Sequence, residues 1–183
     1  VGRVDYGREA HYYEVILENL QKEFKPMSAW TFLRQGTGMI DEYIVDSDEY
    51  VGLGSGAFSY LDGSLYVNTF SLREYSKAID SGRMSVSASQ SYGKREKMRY
   101  RFMMELFSLR FDRQHFQEVF HTLPELGLFI EMMFMFLTGS FASLSQDAIT
   151  LTPRGKYLSV VMMREFFSGV NNGRDEARKA LSE

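Results

Sequence analysis

Tyr50–Asn68 reads YVGLGSGAFSYLDGSLYVN, and the fold of the whole chain turns on how this stretch is read. It opens as an apolar strand, Tyr50–Val51–Gly52–Leu53, and passes three alternating glycines, Gly52, Gly54 and Gly56, to the small residue Ala57. Phe58–Ser59–Tyr60–Leu61 then leads to Asp62–Gly63, and Ser64–Leu65–Tyr66–Val67 returns. Asp-Gly between two β-prone runs predicts a tight hairpin. Glycine at alternate strand positions strips the side chains from one face, which admits either a ligand or the backbone of a packed neighbour. The spacing is not the GxGxxG of dinucleotide sites, and no helix follows to offer its N-terminus to a phosphate.

Upstream, Tyr13, Ile16, Leu17, Leu20 and Phe24 recur at three- and four-residue steps, which predicts an amphipathic helix over Arg8–Phe24, ended by Pro26. Trp30–Leu33 reads as a short strand of aromatic and β-branched residues. A helix feeding a short apolar strand, with a second strand at Tyr50, has the order of the end of a β/α barrel. Between them, residues 34–47 read as a connecting excursion with one short strand at Tyr43–Val45. Its acids, Asp41, Glu42, Asp46, Asp48 and Glu49, lack the alternating oxygens and central glycine of a Ca²⁺ loop, so a solvated loop is expected.

Downstream, Ser71 with Glu74 three residues later predicts a capped helix over Leu72–Ile79, stopped by Gly82. Ser85–Tyr92 is serine-rich and extended, and reads as a linker between two parts. Gly93–Leu109 is the strongest helix pattern in the chain, and Asp112 is placed to cap a second helix over Arg113–Phe120. Leu123–Thr138 is apolar almost all round. It is shorter than the ~20 residues of a membrane span and contains Glu131, so a buried core helix is expected. Phe141–Leu144 and Ala148–Leu151 form a hairpin. Thr152 and Pro153 open a last helix to Phe167, and the tail from Gly169 is polar and expected to fray. Three helices, a hairpin and one more helix is the order of a winged-helix unit.

At 183 residues and 44% apolar, the chain can bury a core of its own. Its 15 Phe, 11 Tyr and 11 Met suit a large pocket or interface, or a plastic core. A net charge of −3 gives no general attraction to nucleic acid or an anionic membrane. With no cysteine, the chain forms no disulfide and holds no thiolate-ligated metal. No apolar run follows a basic N-terminus, so no signal peptide is expected. The chain starts at Val1 rather than Met, as a fragment would. No membrane association and a cytoplasmic location are the expectations.

His11, His115 and His121 fall on separate elements without metal-ligand spacing, and Gly54-Ser55-Gly56 is not a nucleophile elbow. Lys94, Arg95, Lys97, Arg99 and Arg101 crowd the start of one helix and could contact phosphates. They belong to the first helix of the unit, however, and the third is too apolar to read bases, which argues against nucleic acid. Tyr66 and Asn68, on the return strand, can turn polar tips to a ligand or form cross-strand pairs. Phe58 and Tyr60 can stack on a ring or fill the core.

Four words occur in one order: GLGSGAFSYLDGSLYVNT, SLREYSKAIDSGR, KREKMRYRFMMELFSLR and LTPRGK. From about Tyr12 to Phe167 this series resembles the C-terminal part of the oxygen-independent coproporphyrinogen III oxidase family, a branch of the radical S-adenosylmethionine (SAM) enzymes. The resemblance implies an α/β fold: the last strands and helix of a partial β/α barrel, followed by a mostly helical winged-helix-like C-terminal domain. It divides the chain into 1–70 (barrel end), 71–92 (helix and linker), 93–168 (winged-helix-like domain) and 169–183 (polar tail). It implies an oxidoreductase parent of haem biosynthesis, or a relative that inserts, carries or degrades haem, acting on a porphyrinogen or haem-type tetrapyrrole. S-adenosylmethionine and a [4Fe–4S] cluster belong to that intact parent. The family's three-cysteine loop is absent here, so this chain alone is expected to hold neither and to be inactive without the missing N-terminal barrel portion. Gly54, Gly56, Ala57 and Phe58 would lie against the SAM nucleoside, and Tyr66 and Asn68 would face the tetrapyrrole. A non-catalytic haem or porphyrin binding module is the competing reading, and a winged-helix nucleic-acid binder the third.

Overall fold

The computed structural model describes residues 4–34, 49–145 and 147–180. They form a mixed α/β fold of helices and small antiparallel sheets. Helix α1 (Tyr6–Leu20) is capped by Asp5, whose carboxylate accepts from the Arg8 N–H at 3.1 Å. It ends earlier than its apolar period suggests. Phe24 and Pro26 belong to strand β1 (Phe24–Pro26), which pairs antiparallel with β2 (Phe32–Arg34). Pro26 therefore closes a strand rather than a helix, at a sheet edge where its missing N–H costs nothing. The expected strand at Tyr43–Val45 and the acids Asp41, Glu42, Asp46 and Asp48 lie outside the described residues.

The Asp-Gly hairpin forms as the sequence predicts. Strands β3 (Phe58–Leu61) and β4 (Ser64–Asn68) pair from Phe58↔Val67 to Leu61↔Ser64. Asp62 and Gly63 are both left-handed, φ +46° and +66°, as a turn matching the twist of its strands requires. The run ahead of β3 is not a strand. Tyr50 makes one bridge, to Tyr60, and Val51 and Leu53 stand 61% and 87% exposed.

Helix α2 (Leu72–Asp80) is capped as expected, with Ser71 Oγ accepting from the Glu74 N–H. The stretch read as a linker carries β5 (Val86–Ser91), the third strand of the β3–β4–β5 sheet, exposed along its whole length. Helix α3 (Lys94–Phe107) begins where the Glu96 carboxylate takes the Gly93 N–H at 2.7 Å. Strand β6 (Arg110–Asp112) follows, and Asp112 caps α4 (Arg113–Phe120) through the His115 N–H.

The apolar segment 123–138 is not one buried helix. It breaks at Leu128 into α5 (Pro124–Gly127) and α6 (Phe129–Leu137). Only Pro124, Leu128, Met132 and Met135 are buried, while Leu126, Phe129, Ile130, Phe134, Phe136 and Leu137 are more than half exposed. Strands β7 (Phe141–Leu144) and β8 (Ala148–Leu151) form the expected hairpin, and β8 also pairs with β6. Thr152 Oγ1 accepts from the Gly155 N–H at the start of α7 (Pro153–Ala180). That helix runs on to Ala180, into the tail expected to fray.

The described residues within Val1–Ile44 and Met98–Met163 form one compact unit, and those within Val45–Lys97 and Arg164–Glu183 a second. The main core lies in the first. Phe102, Phe111, Phe116 and Phe120 stack edge to face or tilted, with Leu106, Leu128, Ile149 and Leu151 around them. Tyr13 ties α1 to this unit by donating to the Ala29 carbonyl at 2.6 Å, and burial pushes its pKa up to about 12. No described helix is long and apolar enough to cross a membrane.

Candidate functional site

In the second unit, the glycine segment is built from the edge of β3 outward. Tyr50 and Tyr60 exchange both backbone hydrogen bonds, at 3.0 and 2.9 Å. Two residues on, the ladder stops, and the Gly52 N–H goes to the Ser59 hydroxyl at 3.1 Å. Gly52 is crowded: a Cβ there would sit 2.1 Å from the Phe58 carbonyl oxygen. The chain then turns, with the Gly54 carbonyl accepting from the Ala57 N–H at 3.4 Å and Gly56 at φ +70°.

Asn68 and Tyr75 hold this turn in place. The Asn68 amide donates to the Gly54 carbonyl at 3.0 Å and, more weakly, to Gly52 at 3.4 Å. Facing two carbonyls fixes the orientation of that amide. Tyr75, on α2, acts here as an acceptor; its hydroxyl oxygen takes the Gly54 N–H at 3.2 Å. The Gly56 N–H goes to the Thr69 carbonyl at 2.9 Å. All three glycine N–H groups are thus occupied within the protein, so the segment is not an anion cradle of free amides.

The glycines differ in what their missing side chains leave. At Gly54, φ is +108° and nothing stands within 4 Å of a Cβ position, so the backbone there is open to a neighbour. At Gly56 the space is filled by the Phe70 ring, 2.6 Å from where a Cβ would be. Gly56 is explained by its turn and by Phe70, and Gly54 by its backbone conformation alone.

Strand register sorts the other candidates. Phe58 pairs with Val67 and so shares its face, while Tyr66 pairs with Ser59 on one side and Ser89 on the other. Phe58 and Tyr66 therefore point to opposite faces of the hairpin. Asn68 lies two residues beyond Tyr66, toward the glycine turn. Phe58, Tyr66 and Asn68 are all half-buried, and Ala57 joins the turn to β3. Ser59 and Tyr75 carry no signal of their own in the sequence, because their partners lie 7 and 21 residues away.

At the far end of the hairpin, Lys97 lies over Gly63 and donates to the Asp62 carbonyl at 3.3 Å. Glu49 accepts the Asp62 N–H at 2.5 Å. Two further members of the basic cluster are ion-paired. Arg99 pairs with Glu131 at 2.6 Å and Arg101 with Glu105 at 2.5 Å, while Lys94, Arg95 and the paired Arg99 are exposed. Among the described residues no three His, Asp or Glu side chains converge on one point. With no cysteine in the chain, the donor set does not fit an iron–sulfur cluster.

No protein-family model matches the chain, and no curated protein matches it in sequence. Among solved structures its fold is similar to that of coproporphyrinogen III oxidase (HemN) from Escherichia coli, described as a radical SAM enzyme, with a TM-score of 0.58 and 15% identity. The match covers 81% of this chain and 38% of that one. At that identity the likeness is one of fold.

Proposed function

We propose that this chain is the C-terminal portion of a radical SAM enzyme resembling oxygen-independent coproporphyrinogen III oxidase, acting on a porphyrinogen or haem-type tetrapyrrole. The observation that carries the reading is the fold likeness over 81% of the chain, joined to a glycine turn whose backbone is open at Gly54. Residues 1–70 supply the edge of a barrel and 93–168 a winged-helix-like domain. The order α3, β6, α4, α5, α6, β7, β8, with β6 pairing onto the hairpin, supports the latter. An iron–sulfur cluster would supply the electron for SAM cleavage in the intact enzyme, and no residue of this chain would hold it. This chain's own contribution is positional. Gly54 offers bare backbone to the nucleoside, Gly56 holds the turn, and Ala57 and Phe58 form the adjoining edge. Asn68 fixes the turn while Tyr66, on the Ser59 face, is placed toward the tetrapyrrole.

The competing reading is a haem or porphyrin binding module without catalysis. Titration of the chain with coproporphyrin III, followed by the Soret band, and of the intact parent with SAM, followed by calorimetry, tests both. Saturable porphyrin binding is expected. Ala57→Val should weaken the SAM response while the melting temperature moves by no more than about 4 °C, since Val suits a strand edge. Absence of porphyrin binding by the folded chain would refute the tetrapyrrole reading. Porphyrin binding with a SAM response that Ala57→Val leaves unchanged would favour the carrier.

A further inference from the structure

Helix α6 turns its most hydrophobic face to solvent. Leu128, Met132 and Met135 point into the core, and Glu131 beside them pairs with Arg99. The rest of the helix surface carries Phe129, Ile130, Met133, Phe134, Phe136 and Leu137, with Leu126 one turn ahead, each between 41% and 74% exposed. At one residue per 100° these exposed positions of α6 form a single arc with no charge on it. A surface helix ordinarily does the reverse.

Two features say what covers this arc. The first is area. At about 200 Å² for a fully exposed large apolar side chain, the seven offer about 800 Å², the share one partner gives to a standard protein–protein interface. The second is spacing. Ile130, Met133 and Leu137 recur at steps of three and four along α6, the seam of helix-on-helix packing. The pattern is also its own antiparallel complement. About a twofold axis between Glu131 and Met132, Phe129 meets Phe134 of a second copy and Ile130 meets Met133. An interfacial membrane helix would carry a basic polar face, whereas the only charge on α6 is Glu131.

We propose that this face is a self-association surface, and that its occupant is a second copy of this chain, α6 packed antiparallel on α6 across a twofold axis. The contact is isologous and closes at two copies.

Sedimentation velocity of the full chain from about 1 to about 100 µM tests it through mass action. The expected species has twice the 21.2 kDa protomer mass. Phe134→Glu and Ile130→Glu, both at exposed positions, should each yield protomers with an unchanged circular dichroism spectrum. Because the chain has no cysteine, register can be read independently. A mixture of Phe129→Cys and Phe134→Cys chains, oxidised with copper phenanthroline, should cross-link several-fold faster than either alone. A protomer at every concentration overturns the proposal, as does a dimer that survives both glutamates or cross-links without preference for the mixed pair. Protomers that instead bind phosphatidylcholine–phosphatidylglycerol vesicles would assign the face to a membrane and overturn it equally.

Discussion

Asn68 is the point at which the glycine segment can be released without altering a glycine. Its amide spans the carbonyls of Gly54 and Gly52, at 3.0 and 3.4 Å. Asn68→Ala removes one good and one long hydrogen bond and should cost about 1–2 kcal/mol. Asn68→Asp is nearly isosteric but sets a carboxylate against two acceptors, which raises the loss to about 2–3 kcal/mol. The damage is local, since the segment from 50 to 57 can open while the β3–β4 pairing persists. The Gly52 and Gly54 amides, held by Ser59 and Tyr75, report that opening by hydrogen exchange. A loss of about 2 kcal/mol lowers their protection ~30-fold. The sign with pH follows from the acid introduced. The new carboxyl group can donate to a carbonyl when protonated and cannot when ionised, so its folded pKa lies above the unfolded value of about 3.9. The variant should therefore be nearly as protected as Asn68→Ala or better below about pH 4, and should lose protection as pH rises through the folded pKa. Wild-type protection in Asn68→Asp at pH 8 would refute the reasoning and free that amide for a ligand.

Two further outcomes are expected. Gly52→Ala drives a Cβ to 2.1 Å from the backbone oxygen of Phe58, where no rotamer change can help, so it should cost about 2–3 kcal/mol in urea denaturation. Gly54→Ala meets no neighbour and should cost only the ~1 kcal/mol of its left-handed backbone; equal losses would contradict the difference in crowding. Burial raises the Glu105 pKa above its ordinary 4.5, against the lowering by the Asp112 N–H and by Arg101. Its contribution to stability is then full below the unfolded pKa and is lost as pH rises through the folded one. Glu105→Gln should therefore gain on the wild type between pH 4 and pH 8, and a flat difference would refute it.

What was legible in the sequence was local. Ser71 and Asp112 cap their helices through N–H groups three residues away, and Asp62–Gly63 sets its turn within two. What failed depended on distant partners. Phe24 fits the apolar period of α1, yet pairs with Arg34 in a hairpin. The run from Leu123 to Thr138 is apolar enough for a core, but burial belongs to neighbours, and only one side of α6 has them. The glycine stretch was legible as a site for close approach, not as one that distinguishes its members. Gly54 and Gly56 are identical letters, and only Phe70 lying against one of them tells the open position from the filled one.

Strand β5 has a consequence for register. Exposed throughout, it buries too little apolar surface for burial to set its alignment on β4, which is what ordinarily prevents slippage. Polar clasps do it instead. The Thr69 N–H reaches the Ser85 carbonyl at 2.8 Å at one end, and the Tyr92 N–H reaches the Gly63 carbonyl at 3.0 Å at the other. Between those clasps β5 has one residue more than β4, and the pairing steps from Val67↔Ala88 to Asn68↔Val86. Ser87 is the surplus, and its hydroxyl returns to the Val67 carbonyl at 3.2 Å. The serines that look like filler are the alignment marks of the sheet. Ser87 is its one residue of slack, and deleting it would force one clasp to open or turn half the strand over.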